Sequence, residues 1–170
     1  LDAAQSALEA CAALSKKYGI ESAGGSALVN LGNVHERRGH HDAAIDAYVQ
    51  ALDLSMAIGD RIAMFHATTN LGDVYRTVGQ PERAREHLDR GLELIGSLGS
   101  PSRHVILLMN CAALDLDEGA PDAAASRIDE ARAIAEPYGE QRLIGGVLGL
   151  EAKIQFQRGN LDEARALVQQ

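Results

Sequence analysis

Hydrophobic and polar positions along the chain follow the spacing of amphipathic helices, and a glycine stands after each such stretch. These glycines recur every 20 residues, at positions 19, 39, 59, 79, 99, 119, 139 and 159. A glycine just past a helix end adopts the left-handed backbone conformation that closes the last turn. The pattern therefore predicts helices of roughly 16 to 18 residues joined by short turns, so that successive helices run in opposite directions.

Polar residues and prolines mark the predicted helix starts. Asp60, Ser100 and Asn160 stand where an N-cap side chain is expected. Three prolines suit the first helical turn, at positions 81, 101 and 121. The resulting layout has a leading helix over 2–18 and helical hairpins over 21–58, 61–98, 101–138 and 141–170.

Alternate helices differ, so the true repeat is 40 residues long. Every second helix carries an alanine at one phase, namely Ala4, Ala44, Ala84, Ala124 and Ala164. Four positions later stand Leu8, Tyr48, Leu88, Ile128 and Val168. The preceding helix carries small residues, namely Gly32, Gly72, Ala112 and Ala152. Small residues let antiparallel helices approach closely, and hairpins that contact only their neighbours stack into a solenoid with a concave and a convex side.

Two pairs of motifs occur 40 residues apart. They are Leu31-Gly32-x-x-His35 with Ala44-x3-Tyr48, and Leu71-Gly72-x-x-Tyr75 with Ala84-x3-Leu88. They resemble the L-G-x2-Y and A-x3-F signatures of the tetratricopeptide repeat family, whose common repeat has about 34 residues. A 40-residue period is similar to the longer repeats of kinesin light chains, of spindle-orientation adaptors, and of bacterial signalling ATPases and transcription regulators.

The resemblance implies an all-α fold, a right-handed α-solenoid of antiparallel helical hairpins with about four and a half repeats. We expect a single solenoid over 1–170. The second helix of a preceding repeat occupies 1–20, and repeats follow over 21–60, 61–100, 101–140 and 141–170. Because the chain begins within a predicted helix, we expect it to be a fragment of a longer protein.

In this fold, one stripe of each first helix faces the groove. Asn30, Asn70 and Asn110 recur there in register, and related long repeats carry asparagine in N-L-G-N at this place. A carboxamide offers a donor and an acceptor to the backbone of an extended peptide. The alternative is that each asparagine bonds to the neighbouring repeat and sets the stacking. The predicted peptide-binding residues are Asn30, Asn33, Arg37, His66, Asn70, Asp73, Arg76, Met109 and Asn110.

Two further groove features have competing interpretations. Arg37 and Arg76 suit a forked contact with a ligand carboxylate, or else they pair with neighbouring acids or with water. Apolar residues on the first helices make the far end of the groove either an anchor pocket for an aliphatic side chain or simply core. These residues are Ile106, Met109, Ala113 and Leu116, with Phe156 beside them.

Composition and charge narrow the function classes. The formal net charge of −8 argues against nucleic-acid binding, because phosphate contacts need a concentrated basic face. The apolar runs are far shorter than the roughly 20 residues that a membrane helix needs. We therefore expect no nucleic-acid or membrane partner, and a cytoplasmic protein. Cys11 and Cys111 form no disulfide or zinc pattern, and both are predicted to be small core residues.

No catalytic or metal-binding pattern stands out. The histidines are scattered over different helices and turns, and every acidic residue falls on a hydrophilic helix stripe. We expect no enzyme activity and no cofactor. The leading hypothesis is a scaffold that holds a protein or peptide segment in the concave groove. The alternatives are an effector-sensing arm of a bacterial transcription activator or signalling ATPase, and a homo-oligomer formed through the solenoid ends.

Overall fold

Helices make up almost all of the chain that the computed structural model describes, which is residues 2–139 and 141–169. The first helices of the hairpins are α2 (Glu21–Arg37), α4 (Arg61–Thr77), α6 (Pro101–Asp117) and α8 (Gln141–Gln157). The second helices are α1 (Asp2–Tyr18), α3 (His41–Ile58), α5 (Pro81–Ile95), α7 (Pro121–Ala135) and α9 (Leu161–Val168). These described residues contain no strand, so the predicted all-α helical repeat fold is confirmed.

The glycine period marks the turns, as predicted. Gly59 follows α3 with φ 71° and ψ 22°, and its N–H donates to the carbonyl oxygen of Met56. The other seven glycines of the series also have positive φ. A side chain at such a position is strained, because Cβ would approach the following carbonyl.

Only one of the three predicted N-caps forms. The Asp60 carboxylate accepts hydrogen bonds from the N–H groups of Ile62 and Ala63, at 3.1 and 3.0 Å. Ser100 makes no capping bond to the helix that Pro101 begins. Asn160 was also wrong as a cap, because its amide donates instead to Gln155 Oε1 at 2.8 Å.

Two second helices end three residues earlier than the predicted 98 and 138. Helix α5 ends at Ile95, and Gly96, a poor helix former, follows it. Helix α7 ends at Ala135, and a 3₁₀ turn over Glu136–Tyr138 follows. Pro137 cannot donate the hydrogen bond that would continue the α-helix.

Contacts between Cα atoms divide the chain into two compact units, one ending at Leu94 and the other beginning at Ile95. In the first unit, α2 packs against α1, α3 and α4. In the second unit, α6 packs against α7 and α8, and α8 packs against α9. A single right-handed solenoid over the whole chain stays a prediction.

The first unit is held by close contacts between first and second helices. Tyr48 and Leu88 are fully buried. A Cβ atom added at Gly32 would overlap the Tyr48 ring, and one added at Gly72 would lie 2.6 Å from Leu88 Cγ. The predicted role of these two glycines in close helix packing is therefore confirmed.

The second unit has a conventional aliphatic core. Helices α6, α7 and α8 share one cluster of buried side chains, built around Leu108, Ile128 and Val147. Cys111 is buried, as predicted. The prediction for Cys11 was wrong, because Cys11 is exposed on α1, where Ser15 is buried and Leu8 and Ala12 are half-buried.

Two glycines, one in a turn and one inside a helix, give a stability test in which alanine should have opposite effects. We expect Gly59→Ala to lower the free energy of unfolding by about 1 kcal/mol, because alanine is strained at positive φ. Gly145 lies exposed inside α8 with nothing within 4 Å of an added Cβ. Gly145→Ala should therefore raise the free energy of unfolding by about 0.5–1 kcal/mol, since alanine favours the helix.

Urea unfolding followed by helical circular dichroism measures both variants against the wild type. A loss of stability in both, or a gain in both, would contradict this account of the turns.

Candidate functional site

The predicted groove residues of the first unit lie on two neighbouring helices, α2 and α4, and we call them the α2/α4 face. The exposed members are Asn30 and Arg37. The half-buried members are Asn33, His66, Asn70, Asp73 and Arg76. Because α2 packs against α4, these side chains form one polar surface within the first unit.

A hydrogen bond joins the two helices at the middle of the face. Asn70 Nδ2 donates to Asn33 Oδ1 at 2.9 Å. This is the stacking role that the sequence left open for the asparagines. The bond uses one N–H of Asn70 and the oxygen of Asn33, so each carboxamide keeps further hydrogen-bonding capacity.

The Tyr48 hydroxyl lies beneath this pair and joins it to Glu36. Its oxygen is 2.6 Å from Asn33 Oδ1 and 2.7 Å from Glu36 Oε2. A phenol has one proton and cannot donate to both acceptors at once. The phenol proton is therefore shared between these two acceptors, one at a time.

The surroundings of Glu36 shift its pKa. Burial raises the pKa of Glu36; the Tyr48 hydrogen bond lowers this pKa in part, and the nearby Asp73 carboxylate raises it again. Burial, followed by the Glu36 hydrogen bond, also raises the pKa of the Tyr48 hydroxyl. Glu36 is therefore a carboxyl group for which folding favours the neutral form.

The remaining members of the face divide into paired and free groups. Arg76 donates to Asp73 Oδ1 through Nε at 3.2 Å and Nη2 at 3.0 Å, so this arginine has the neighbouring acid that the alternative interpretation gave it. The His66 ring lies edge-on to Phe65, with centroids 5.7 Å apart. Among the described residues, the side chains of Asn30 and Arg37 have no hydrogen-bond or ion-pair partner, so both are available to a ligand.

Met109 and Asn110 belong to the second unit, on α6. Both are half-buried, and Met109 packs against the core cluster and over Gly146 of α8. Ile106 and Ala113 also pack against the cluster and Leu116 is buried within it, so the core interpretation fits these positions. Phe156 does not join them, because its side chain is exposed.

One acidic residue contradicts the expectation that all of them lie on hydrophilic stripes. Asp115 is buried in the second unit, and Arg127 Nε donates to its Oδ2 at 2.7 Å. A buried carboxylate needs such a partner, because the desolvated charge is otherwise costly. Within residues 2–139 and 141–169, no three His, Cys, Asp or Glu side chains group as a metal site would require.

Sequence reasoning missed Tyr48 and Glu36 as parts of the polar network. Tyr48 was assigned to packing, and its ring is indeed buried over Gly32. The available signal was the hydroxyl itself, since the A-x3-F pattern has phenylalanine at this position. A buried phenol oxygen needs hydrogen-bonding partners, and here they lie on α2.

Comparison with family models agrees with this architecture. Tetratricopeptide repeat models match residues 25–97 and residues 146–170, which together are more than half of the chain. The chain belongs to the tetratricopeptide repeat family. A comparison with curated proteins gives no match.

Tetratricopeptide repeats generally act as scaffolds for protein–protein interactions, and the family is typically non-catalytic. No helix in the described part of this repeat protein is long and apolar enough to cross a membrane.

The Glu36 network predicts a measurable pH dependence. With its pKa raised by folding, Glu36 contributes stability that is fully present below the ordinary value of 4.5 and is lost as the pH rises through its folded-state pKa. Glu36→Gln keeps an acceptor for Tyr48 but cannot ionise. We expect the free energy of unfolding of the variant, relative to wild type, to increase as the pH rises from about 4 to about 7.

Urea titrations at several pH values give this difference, and Glu93→Gln on the exposed surface of α5 is the matched control. A pH-independent difference at Glu36, or an equal pH dependence at Glu93, would show that the buried network does not control this carboxyl.

Proposed function

We propose that the α2/α4 face binds an extended segment of a partner protein. The observation that carries the proposal is the hydrogen bond between Asn70 and Asn33, which holds two carboxamides in a fixed arrangement across neighbouring helices. Asn33 keeps both N–H groups of its amide, and Asn70, whose amide also donates to the Tyr48 hydroxyl, keeps its oxygen. These atoms suit the alternating donors and acceptors of an extended backbone.

The charges on the face favour an acidic residue in the bound segment. Arg37 is exposed and has no acidic side chain in hydrogen-bond or ion-pair contact, whereas Arg76 already contacts Asp73. A guanidinium group binds a carboxylate through two parallel hydrogen bonds. We therefore propose that Asn30 and Asn70 contact the backbone and that Arg37 contacts a carboxylate. His66, Asp73 and Arg76 complete the rim of the site.

Met109 and Asn110 extend the proposal to the second unit, considered by itself. Asn110 is half-buried on α6, and no side chain of the described residues hydrogen-bonds to its carboxamide. The free donor and acceptor of this carboxamide suit a hydrogen bond with the ligand. Met109 supports the position of α6 by packing against the core cluster.

The test uses peptides selected from a random display library against the intact chain. We expect the selected peptides to carry an acidic residue. Their affinity should fall about five- to tenfold for Asn30→Ala and by at least as much for Arg37→Gln, the range expected for losing one neutral or one charged hydrogen bond. Fluorescence anisotropy of a labelled peptide measures each affinity.

Gln50→Ala is the matched control, because Gln50 is an exposed carboxamide on α3 whose amide donates to the Asp46 carbonyl of its own helix. Both groove positions are exposed, so circular dichroism should show intact helices in every variant. Unchanged affinity in a folded Asn30→Ala, Arg37→Gln double variant would refute the proposal.

A further inference from the structure

Helices α1, α2 and α3 of the first unit border an open cleft of about 680 Å³, which we call the α1/α3 cleft. Most of its lining is apolar, with Ala13 on α1, Leu28 on α2 and Leu54 on α3. The polar and charged side chains in the lining are Ser15, Lys16, Glu21, Gln50 and Asp53. Clefts of roughly 300–1,000 Å³ that combine an apolar lining with a few polar groups are typical binding sites for small molecules.

The side chain that would fill the floor of this cleft is absent from the sequence. The 40-residue period gives each position of α1, α2 and α3 an equivalent on α3, α4 and α5. Gly24 lines the cleft from α2, whereas its equivalent on α4 is Met64, which is half-buried. The opening therefore follows from the residues of α1, α2 and α3 themselves.

A contact that crosses the equivalent groove between α3 and α5 has no counterpart in the α1/α3 cleft. In the α3/α5 groove, Arg90 Nη2 lies 2.8 Å from Met56 Sδ. The equivalent residues are Gln50 on α3 and Lys16 on α1. The Gln50 amide donates instead to the Asp46 carbonyl oxygen of its own helix at 3.2 Å. Among the described residues, no side-chain hydrogen bond or ion pair joins α1 to α3, so the cleft stays open between them.

The charges in the lining favour a cationic ligand. Lys16 lies in the last turn of α1 and Glu21 in the first turn of α2, where the helix ends stabilise a positive and a negative charge respectively. Asp53 is exposed further inside α3, and it forms no hydrogen bond or ion pair with a described residue. The Asp53 carboxylate therefore has neither a helix end nor an ion pair to stabilise it, and a ligand cation would supply its partner.

We propose that the α1/α3 cleft binds a small organic cation, in which an aliphatic or aromatic body carries one ammonium group. The body packs against Leu28 and Leu54, and the ammonium group pairs with Asp53. The cleft shares no residue with the α2/α4 face. It is therefore a second site, and it does not depend on the peptide binding proposed above.

Three probes with one apolar body separate the effect of charge from that of hydrophobic contact. They are phenylbutylamine, phenylbutanol and phenylbutanoate, each with the phenyl ring and the head group at opposite ends of the butyl chain. Titration into the intact chain, followed by the backbone amide chemical shifts in NMR spectra, measures each affinity and locates the site. We expect the amine to bind about two- to fivefold more tightly than the alcohol, the range of an exposed ion pair, and the carboxylate to bind most weakly.

A substitution at Asp53 tests the ion pair. Asp53→Asn should remove the preference for the amine over the alcohol and leave the affinity for the uncharged alcohol unchanged. Asp89→Asn, at an exposed aspartate on α5, is the matched control and should keep the preference. Both aspartates are exposed, so circular dichroism should show intact helices in each variant.

A double variant tests the opening itself. Lys16→Met combined with Gln50→Arg gives the cleft the two residue types that meet across the α3/α5 groove. The new arginine should then reach across from α3 to α1, and the cleft should lose most of its binding of the alcohol. The alcohol is the decisive probe here because the added positive charge does not repel it.

The proposal would be overturned by the absence of saturable binding, by equal affinities for the amine and the carboxylate, or by shift changes centred outside the cleft. It would also be overturned by an Asp53→Asn variant that keeps the full preference for the amine. Unchanged binding of the alcohol to the folded double variant would contradict it as well, because the probes would then bind elsewhere.

Discussion

The packing of a large side chain directly over a glycine is the contact on which the first unit depends. Tyr48 lies over Gly32 and Leu88 lies over Gly72, and neither large side chain has exposed surface. Because interiors are packed as densely as organic crystals, even one added methyl group at either glycine must displace its neighbour. The contact therefore fixes the distance and the register between each first helix and the second helix that follows it.

The polar surface of the first unit is a consequence of that register. The ring of Tyr48 reaches across Gly32, so its hydroxyl arrives beside Asn33 and Glu36. Asn33 in turn holds Asn70 on the next first helix. A buried packing contact thus orients the asparagines that the proposed ligand would meet at the surface, and it places a carboxyl group where folding favours its neutral form.

The sequence predicts the helices far better than it predicts side-chain partners. Helix ends follow from local chemistry, since Gly59 needs no distant residue to close α3, and the 40-residue period identifies the first and second helices. The period also indicates that Asn30, Asn33 and Asn70 share a face. It does not indicate that Asn33 and Asn70 bond to each other, because that depends on the distance between α2 and α4.

The wrong predictions have the same origin. Cys11 has the spacing of a core residue, yet its exposure depends on which side of α1 another helix covers. Asp115 stands where a surface acid is expected, and Arg127 approaches from α7 to pair with its buried carboxylate. Periodicity gives the face on which a residue lies, while burial and pairing depend on the neighbouring helix and its side chains.

A double-mutant cycle at Gly72 and Leu88 tests the central contact most directly, with urea unfolding as the measurement. Gly72→Ala should cost about 1–3 kcal/mol of stability by overpacking, and Leu88→Ala about 2–5 kcal/mol by leaving a cavity. If the two side chains occupy one shared space, the double variant should be more stable than the summed costs predict by about 1 kcal/mol or more, because the new methyl group fills part of the cavity. Costs that simply add would contradict the account.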